Sequence, residues 1–138
     1  MSFLLDTNVI SEVRKGANGN KSVVDWYRQT DDRLMFLSSM VIGEIRKGIE
    51  RLAPTNSEAA VRIDEWLTRV CRHYEYRIIP VDVEVAEEWG RMSAADPPPV
   101  VDGLIAATAK VHGLTLVTRN VTDVERTGVR CLDPFLPN

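Results

Sequence analysis

Phe3-Leu4-Leu5-Asp6-Thr7-Asn8-Val9-Ile10 opens as three apolar residues, stops at an acid, passes two polar residues and resumes with apolar side chains at 9, 10 and 13. An unbroken apolar run fits a strand covered on both faces, and the spacing 9, 10, 13 fits one face of a helix. Strand, polar turn, helix is the repeating unit of a parallel sheet.

The same alternation continues along the chain. Gly16, Asn18, Gly19 and Asn20 form a loop, after which Ser22 is the expected cap of a helix carrying Val23, Val24, Trp26 and Tyr27. Leu34 to Leu37 reads as a strand, and Ser38 or Ser39 caps a helix with Met40, Val41, Ile45, Ile49 and Leu52 inward, closed by Pro54. A helix from about Asn56 to Tyr74 follows, with Val61, Trp66, Leu67 and Val70 inward, then a strand from Arg77 to Val81. Asp82 caps the next helix, which carries Trp89 and Met92 and ends before Pro97-Pro98-Pro99. Asp102 is expected to open a helix running through Leu104 to His112, stopped by Gly113. Strands at Leu114 to Thr118 and Val129 to Leu132 complete the chain. The expectation is one α/β domain over residues 1–138, a mainly parallel central sheet flanked by helices. Such sheets bind ligands beyond the carboxyl ends of their strands, where Asp6 and the segment from Thr118 to Asp123 fall.

Composition narrows the class. With 138 residues, 44% apolar and 27% charged, the chain has the make-up of an ordinary globular domain. No apolar run reaches the ~20 residues of a membrane span, and the first residues lack the basic and apolar regions of an export signal, so a cytoplasmic location without membrane contact is expected. Cys71 and Cys131 stand far apart and outside any C-x-x-C pattern, which suits buried thiols rather than zinc ligands. His73 and His112 do not stand at metal spacing. The net charge is −3, although 12 of the 17 basic residues and only 11 of the 20 acidic ones precede Pro80. The basic excess lies around Arg46, Lys47 and Arg51 and around Arg62, Arg69 and Arg72. Most such charges are solvated helix faces, with contact to substrate phosphate as the other use.

Three acids interrupt otherwise apolar sequence: Asp6 after a strand, Glu44 among helical apolar residues, and Asp102 at a helix start. Singly, each has an ordinary explanation: a turn former, a solvated helix residue, and an N-cap. Jointly they fit a site for a hard divalent cation, which takes oxygen ligands and needs few carboxylates beside substrate phosphate. Unit charges ~4 Å apart repel by roughly 4 kcal/mol at an effective dielectric near 20, so converging carboxylates call for a cation. Such a site reconciles an acidic protein with a polyanionic substrate.

The segments Leu4-Leu5-Asp6-Thr7-Asn8-Val9-Ile10-Ser11, Gly43-Glu44-Ile45-Arg46-Lys47-Gly48, Val101-Asp102-Gly103-Leu104-Ile105-Ala106-Ala107-Thr108-Ala109 and Leu116-Val117-Thr118-Arg119-Asn120-Val121-Thr122-Asp123 together resemble PIN-domain nucleases of the VapC and FitB toxin type. The resemblance implies a PIN-like fold with Asp6, Glu44 and Asp102 as metal-site acids. It also implies hydrolysis of RNA with magnesium, for which manganese can substitute, a homodimer, and a cognate antitoxin. Asp123 is the expected fourth acid of the catalytic and metal set. Thr7, Thr118 and Asn120 are expected to support it, Asn120 by bonding nearby backbone through its side chain. The plainer reading of Asp123 is the cap of a short helix beginning at Val124. A PIN-fold protein that has lost activity and serves only as a binding partner is the alternative, against which the three main acids count. A haloacid-dehalogenase-like phosphatase needs a second Asp two positions after the first, where this chain has Asn8.

Overall fold

The computed structural model describes residues 1–137. Five strands, β1 (Phe3–Leu5), β2 (Met35–Ser38), β3 (Ile78–Ile79), β4 (Thr115–Val117) and β5 (Cys131–Leu132), form one sheet in the order β3-β2-β1-β4-β5. All four pairings are parallel, with Phe3 opposite both Met35 and Thr115. Seven α-helices flank the sheet among the described residues: α1 (Thr7–Arg14), α2 (Lys21–Gln29), α3 (Ser39–Leu52), α4 (Ser57–His73), α5 (Val83–Met92), α6 (Val100–His112) and α7 (Val121–Val124).

Successive side chains of a strand point to opposite faces, and both Leu4 and Leu5 are wholly buried, so helices cover β1 on both sides. Val9, Ile10, Val41, Ile45, Ile105, Ala106 and Ala109 supply that cover. After β1 the chain builds outward through β2 and β3, then crosses to lay β4 and β5 on the other side. The strand order therefore reverses at the carboxyl end of β1, where a crevice opens in sheets of this kind. Asp6 is the first residue beyond it.

Small residues set how closely α6 approaches its neighbours. A Cβ at Gly103 would lie 3.2 Å from both Cδ1 and Nε1 of Trp89 and 3.3 Å from Cγ of Pro98, so the α5 indole rests against the first turn of α6. Gly113 ends that helix at φ +66°, the left-handed conformation glycine adopts without Cβ strain, and the Leu114 N–H turns back to Ala109 O at 2.9 Å.

Several expectations are corrected. Helix α6 starts at Val100 with Pro99 at its cap, so Asp102 is its third residue and not its opening one. The rigid φ of proline suits a helix entrance, and the triple proline leads into α6 besides ending what precedes it. Asn20, not Ser22, caps α2, its side chain accepting from Val23 N at 3.2 Å. Val61 is 55% exposed because the inward stripe of α4 runs through Ala60, Leu67 and Val70, about 100° away around the helix. Both cysteines are half-buried rather than fully enclosed. The strands are shorter than expected, β3 keeping only Ile78 and Ile79 of the Arg77 to Val81 run and β5 only Cys131 and Leu132. Among the described residues no helix is long and apolar enough to cross a membrane.

Candidate metal centre

Asp6 is positioned twice over. Its backbone N–H donates to Val117 O of β4 at 2.9 Å, which fixes it as the continuation of β1. Its side chain then caps α1: Oδ1 accepts from Thr7 N at 2.7 Å, while Oδ2 accepts from the Thr118 hydroxyl at 2.7 Å. The residue is 5% exposed. Burial raises its pKa above the ordinary aspartate value, the two hydrogen bonds oppose that rise, and the negative Glu44 adds to it.

Glu44 reaches the same place from α3. The Thr7 hydroxyl donates to its Oε1 at 2.5 Å, so one threonine bridges two acids, with its N–H on Asp6 and its O–H on Glu44.

Asp102, half-buried in the first turn of α6, differs from both. No backbone N–H is capped by it, and among the described residues its carboxylate has no hydrogen bond and no ion pair. Its pKa is pushed up to about 6, first by burial and then by the negative charges of Asp6, Glu44 and Asp123. Four carboxylates from four separate stretches of chain thus repel one another at one end of the sheet. No lysine or arginine among the described residues forms an ion pair with any of them.

Asp123 is the exposed member of the group. It is the third residue of α7, which begins at Val121, so the reading of Asp123 as cap of a helix starting at Val124 does not hold. Asn120 occupies the cap position, yet its side chain makes no capping bond. The loop is instead held by Thr118, whose hydroxyl oxygen accepts from Asn120 N at 3.0 Å and from Asn8 Nδ2 at 3.5 Å. Asn8 also accepts from Arg119 N at 3.2 Å through its Oδ1. Sequence reasoning had no place for Asn8 in the site; the available signal was its position two residues after Asp6 in a polar break between apolar runs.

The donors are all oxygens, from four carboxylates and two threonine hydroxyls, which is the chemistry a magnesium or manganese ion accepts. Among the described residues no three acidic, histidine or cysteine side chains are gathered tightly enough to be a closed ligand set. An ion that keeps several waters needs no such cage. The uncompensated charge fits a hard dication, and the lack of imidazole or thiolate donors at the site disfavours zinc.

The profile of the PIN domain family matches residues 3–128. The chain is similar to the VapC ribonuclease Y4jK of Sinorhizobium fredii, with 27% identity covering 98% of this chain and 99% of that protein. It is likewise similar to the toxin FitB of Neisseria gonorrhoeae, with 31% identity covering 96% and 98%. The crystal structure of FitAcB from Neisseria gonorrhoeae superposes with a TM-score of 0.88 at 31% identity, over 96% of this chain and 98% of that one.

Proposed function

The chain belongs to the PIN domain family, and on that premise we propose that it is the toxin of a toxin–antitoxin pair, a single-domain, metal-dependent endoribonuclease acting through Asp6, Glu44, Asp102 and Asp123. One observation carries the reading: among the described residues the half-buried Asp102 carboxylate is committed to no protein partner, and burial, reinforced by the charges of three other acids, pushes its pKa up to about 6. Structural carboxylates are normally paired, and four that repel at a strand-end crevice are the signature of a cation site.

Asp6, Glu44, Asp102 and Asp123 would hold magnesium, or manganese in its place. When bound, such an ion supplies Lewis acidity toward phosphate and a hydrolytic nucleophile from water near neutral pH. The chain's own part is positioning. Thr7 and Thr118 each donate one hydrogen bond to a different oxygen of Asp6, which fixes its orientation before any ion arrives and leaves further lone pairs on both oxygens for one. The Thr7 bond aims Glu44. Asp102, ionised above about pH 6, presents a free carboxylate, and exposed Asp123 closes the solvent side. With such an ion held, a substrate phosphodiester entering the crevice would meet compensated rather than bare negative charge; water would form a bond to phosphorus as the P–O ester bond opposite it breaks, and the departing alcohol oxygen would take up the proton that water gives up.

The proposal includes a cognate antitoxin as partner, supported by the likeness to FitAcB and to the toxin FitB, and a homodimer, which rests on the family resemblance of the sequence motifs alone. The deciding experiment incubates purified chain with single-stranded RNA in magnesium, manganese or excess chelator. Cleavage confined to the metal-containing reactions and lost in Asp6→Asn and Asp102→Asn is expected; cleavage in chelator, or by either variant, overturns the reading.

A further inference from the structure

We propose that the face of α3 bearing Lys47 and Arg51 is a track for the RNA backbone, each cation taking one phosphate of the strand as it leaves the acidic centre. The inference rests on the ribonuclease reading above and adds the direction in which the substrate lies.

A groove of about 490 Å³ runs along α3. Thr7, Glu44 and Val101, the neighbour of Asp102, line it together with Lys47, Gly48 and Arg51. The groove is therefore continuous with the acids. Positions 44, 47, 48 and 51 recur at the i, i+3, i+4, i+7 spacing of a single helix face, and seven residues rise about 10 Å. Along that face the charge changes from the Glu44 carboxylate to two cations roughly one turn apart.

Those cations are free for an outside ligand. Arg46, immediately before Lys47, is spent inside the protein on Asp64 at 2.8 Å and Glu50 at 3.9 Å. Lys47 and Arg51 are exposed and among the described residues make no ion pair or side-chain hydrogen bond. Between them Gly48 leaves the helix surface bare, with no atom within 4 Å of where a Cβ would stand, and Gly43 is equally open. A sugar-phosphate chain can lie close to α3 there.

Charge selects the ligand class. A chain of net charge −3 with four converging acids repels a polyanion unless local cations steer it. A strand that is cut at the acids must also leave the crevice, and this groove leads from them to unspent positive charge.

The test uses the full-length Asp102→Asn chain, which should bind RNA without cutting it, and a fluorescently labelled single-stranded oligoribonucleotide in magnesium. Lys47→Ala/Arg51→Ala should weaken binding at least tenfold at low salt and lower the slope of log affinity against log salt by about 1.4, since each contact to a single strand contributes about 0.7. Lys47→Arg/Arg51→Lys should retain affinity, Arg62→Ala on α4 should leave it unchanged, and all melting temperatures should match. RNA binding that persists with unaltered slope in the double alanine variant overturns the track and leaves the ribonuclease reading standing. A parent chain that neither binds nor cleaves RNA removes that reading, and the track with it. Polyglutamate binding that depends on Lys47 and Arg51 while RNA binding does not would assign the groove to an acidic protein segment and equally overturn the proposal.

Discussion

Thr118 donates its hydroxyl to Asp6 Oδ2 at 2.7 Å, joining residues 112 positions apart in the chain. The same oxygen accepts from Asn120 N and Asn8 Nδ2, so one buried hydroxyl serves the acid, the loop before α7 and the first turn of α1. Thr118→Val keeps the shape and removes all three bonds. A hydrogen bond to a charged group contributes ~1.5–3 kcal/mol, and a destabilisation of about that size is expected in urea unfolding. Thr118→Ser should recover most of it, whereas a valine variant as stable as the parent would show the contact to be idle.

The metal-free protein should lose stability as pH rises from about 4 to about 6. The folded-state pKa of Asp102 is raised from 3.8 to about 6, so between those values the folded state binds the proton that the unfolded state has released. Folding is then favoured at the lower pH and progressively less as the carboxylate ionises among its neighbours. Asp6 is raised in the same direction, by burial first. Glu12, Asp31 and Asp64 are lowered by their partners and act oppositely, Asp31 and Asp64 below their ordinary value of 3.8 and Glu12 below 4.5, so only Glu12 opposes the trend, at the lower end of this window. Melting temperatures of wild type and Asp102→Asn, measured in chelator, should converge at pH 4 and diverge by pH 6.5. Parallel curves would exclude Asp102 as the source.

Magnesium should reverse that trend, because it binds the ionised carboxylates of the folded state. A ligand at a hundred times its Kd stabilises by ~2.7 kcal/mol, so the melting temperature should climb with the logarithm of the metal concentration. Glu44→Gln keeps an oxygen for the Thr7 hydroxyl while removing one negative charge. The variant should melt higher than wild type in chelator and respond less to metal. Identical responses from the two proteins would take Glu44 out of the site.

Asp123→Asn isolates charge at the outermost acid. Asp123 neither caps α7 nor makes an ion pair among the described residues, and it is exposed, so the fold should not register the change. Cleavage at saturating magnesium should fall tenfold or more, and the pKa of Asp102 should drop because one of its repelling neighbours is gone. Full activity with an unmoved Asp102 titration would return Asp123 to the solvated surface.

The helix and strand alternation was legible because burial on both faces writes itself as runs such as Phe3-Leu4-Leu5 and because Asp82, Ser38 and Gly113 mark helix ends by local hydrogen bonding. Asp6, Glu44 and Asp102 stood out as charges in apolar surroundings, a contrast that needs no coordinates. What one residue at a time could not show was long-range partnership. Nothing near position 8 states that Asn8 will bond residues 118 and 119, and nothing near 118 announces a hydroxyl with three partners. The plainer reading of Asp123 as a cap does not hold because the short α7 starts at Val121, a shift of three residues that local preference does not resolve, and Asn120 in its cap position makes no capping bond.

Strand order also governs when the acidic centre can assemble as the chain is made. Strand β1 emerges first from the ribosome, yet one of its two neighbours, β4, is not synthesised until residue 117, and Thr118 and Asp123 follow later still. Until then Asp6 lacks both the Val117 carbonyl that fixes its backbone and the hydroxyl that orients its carboxylate. A translating ribosome therefore carries an unassembled acidic centre until at least Asp123 has been added. For the nuclease proposed above, inhibition by a partner matters only once the sheet is complete.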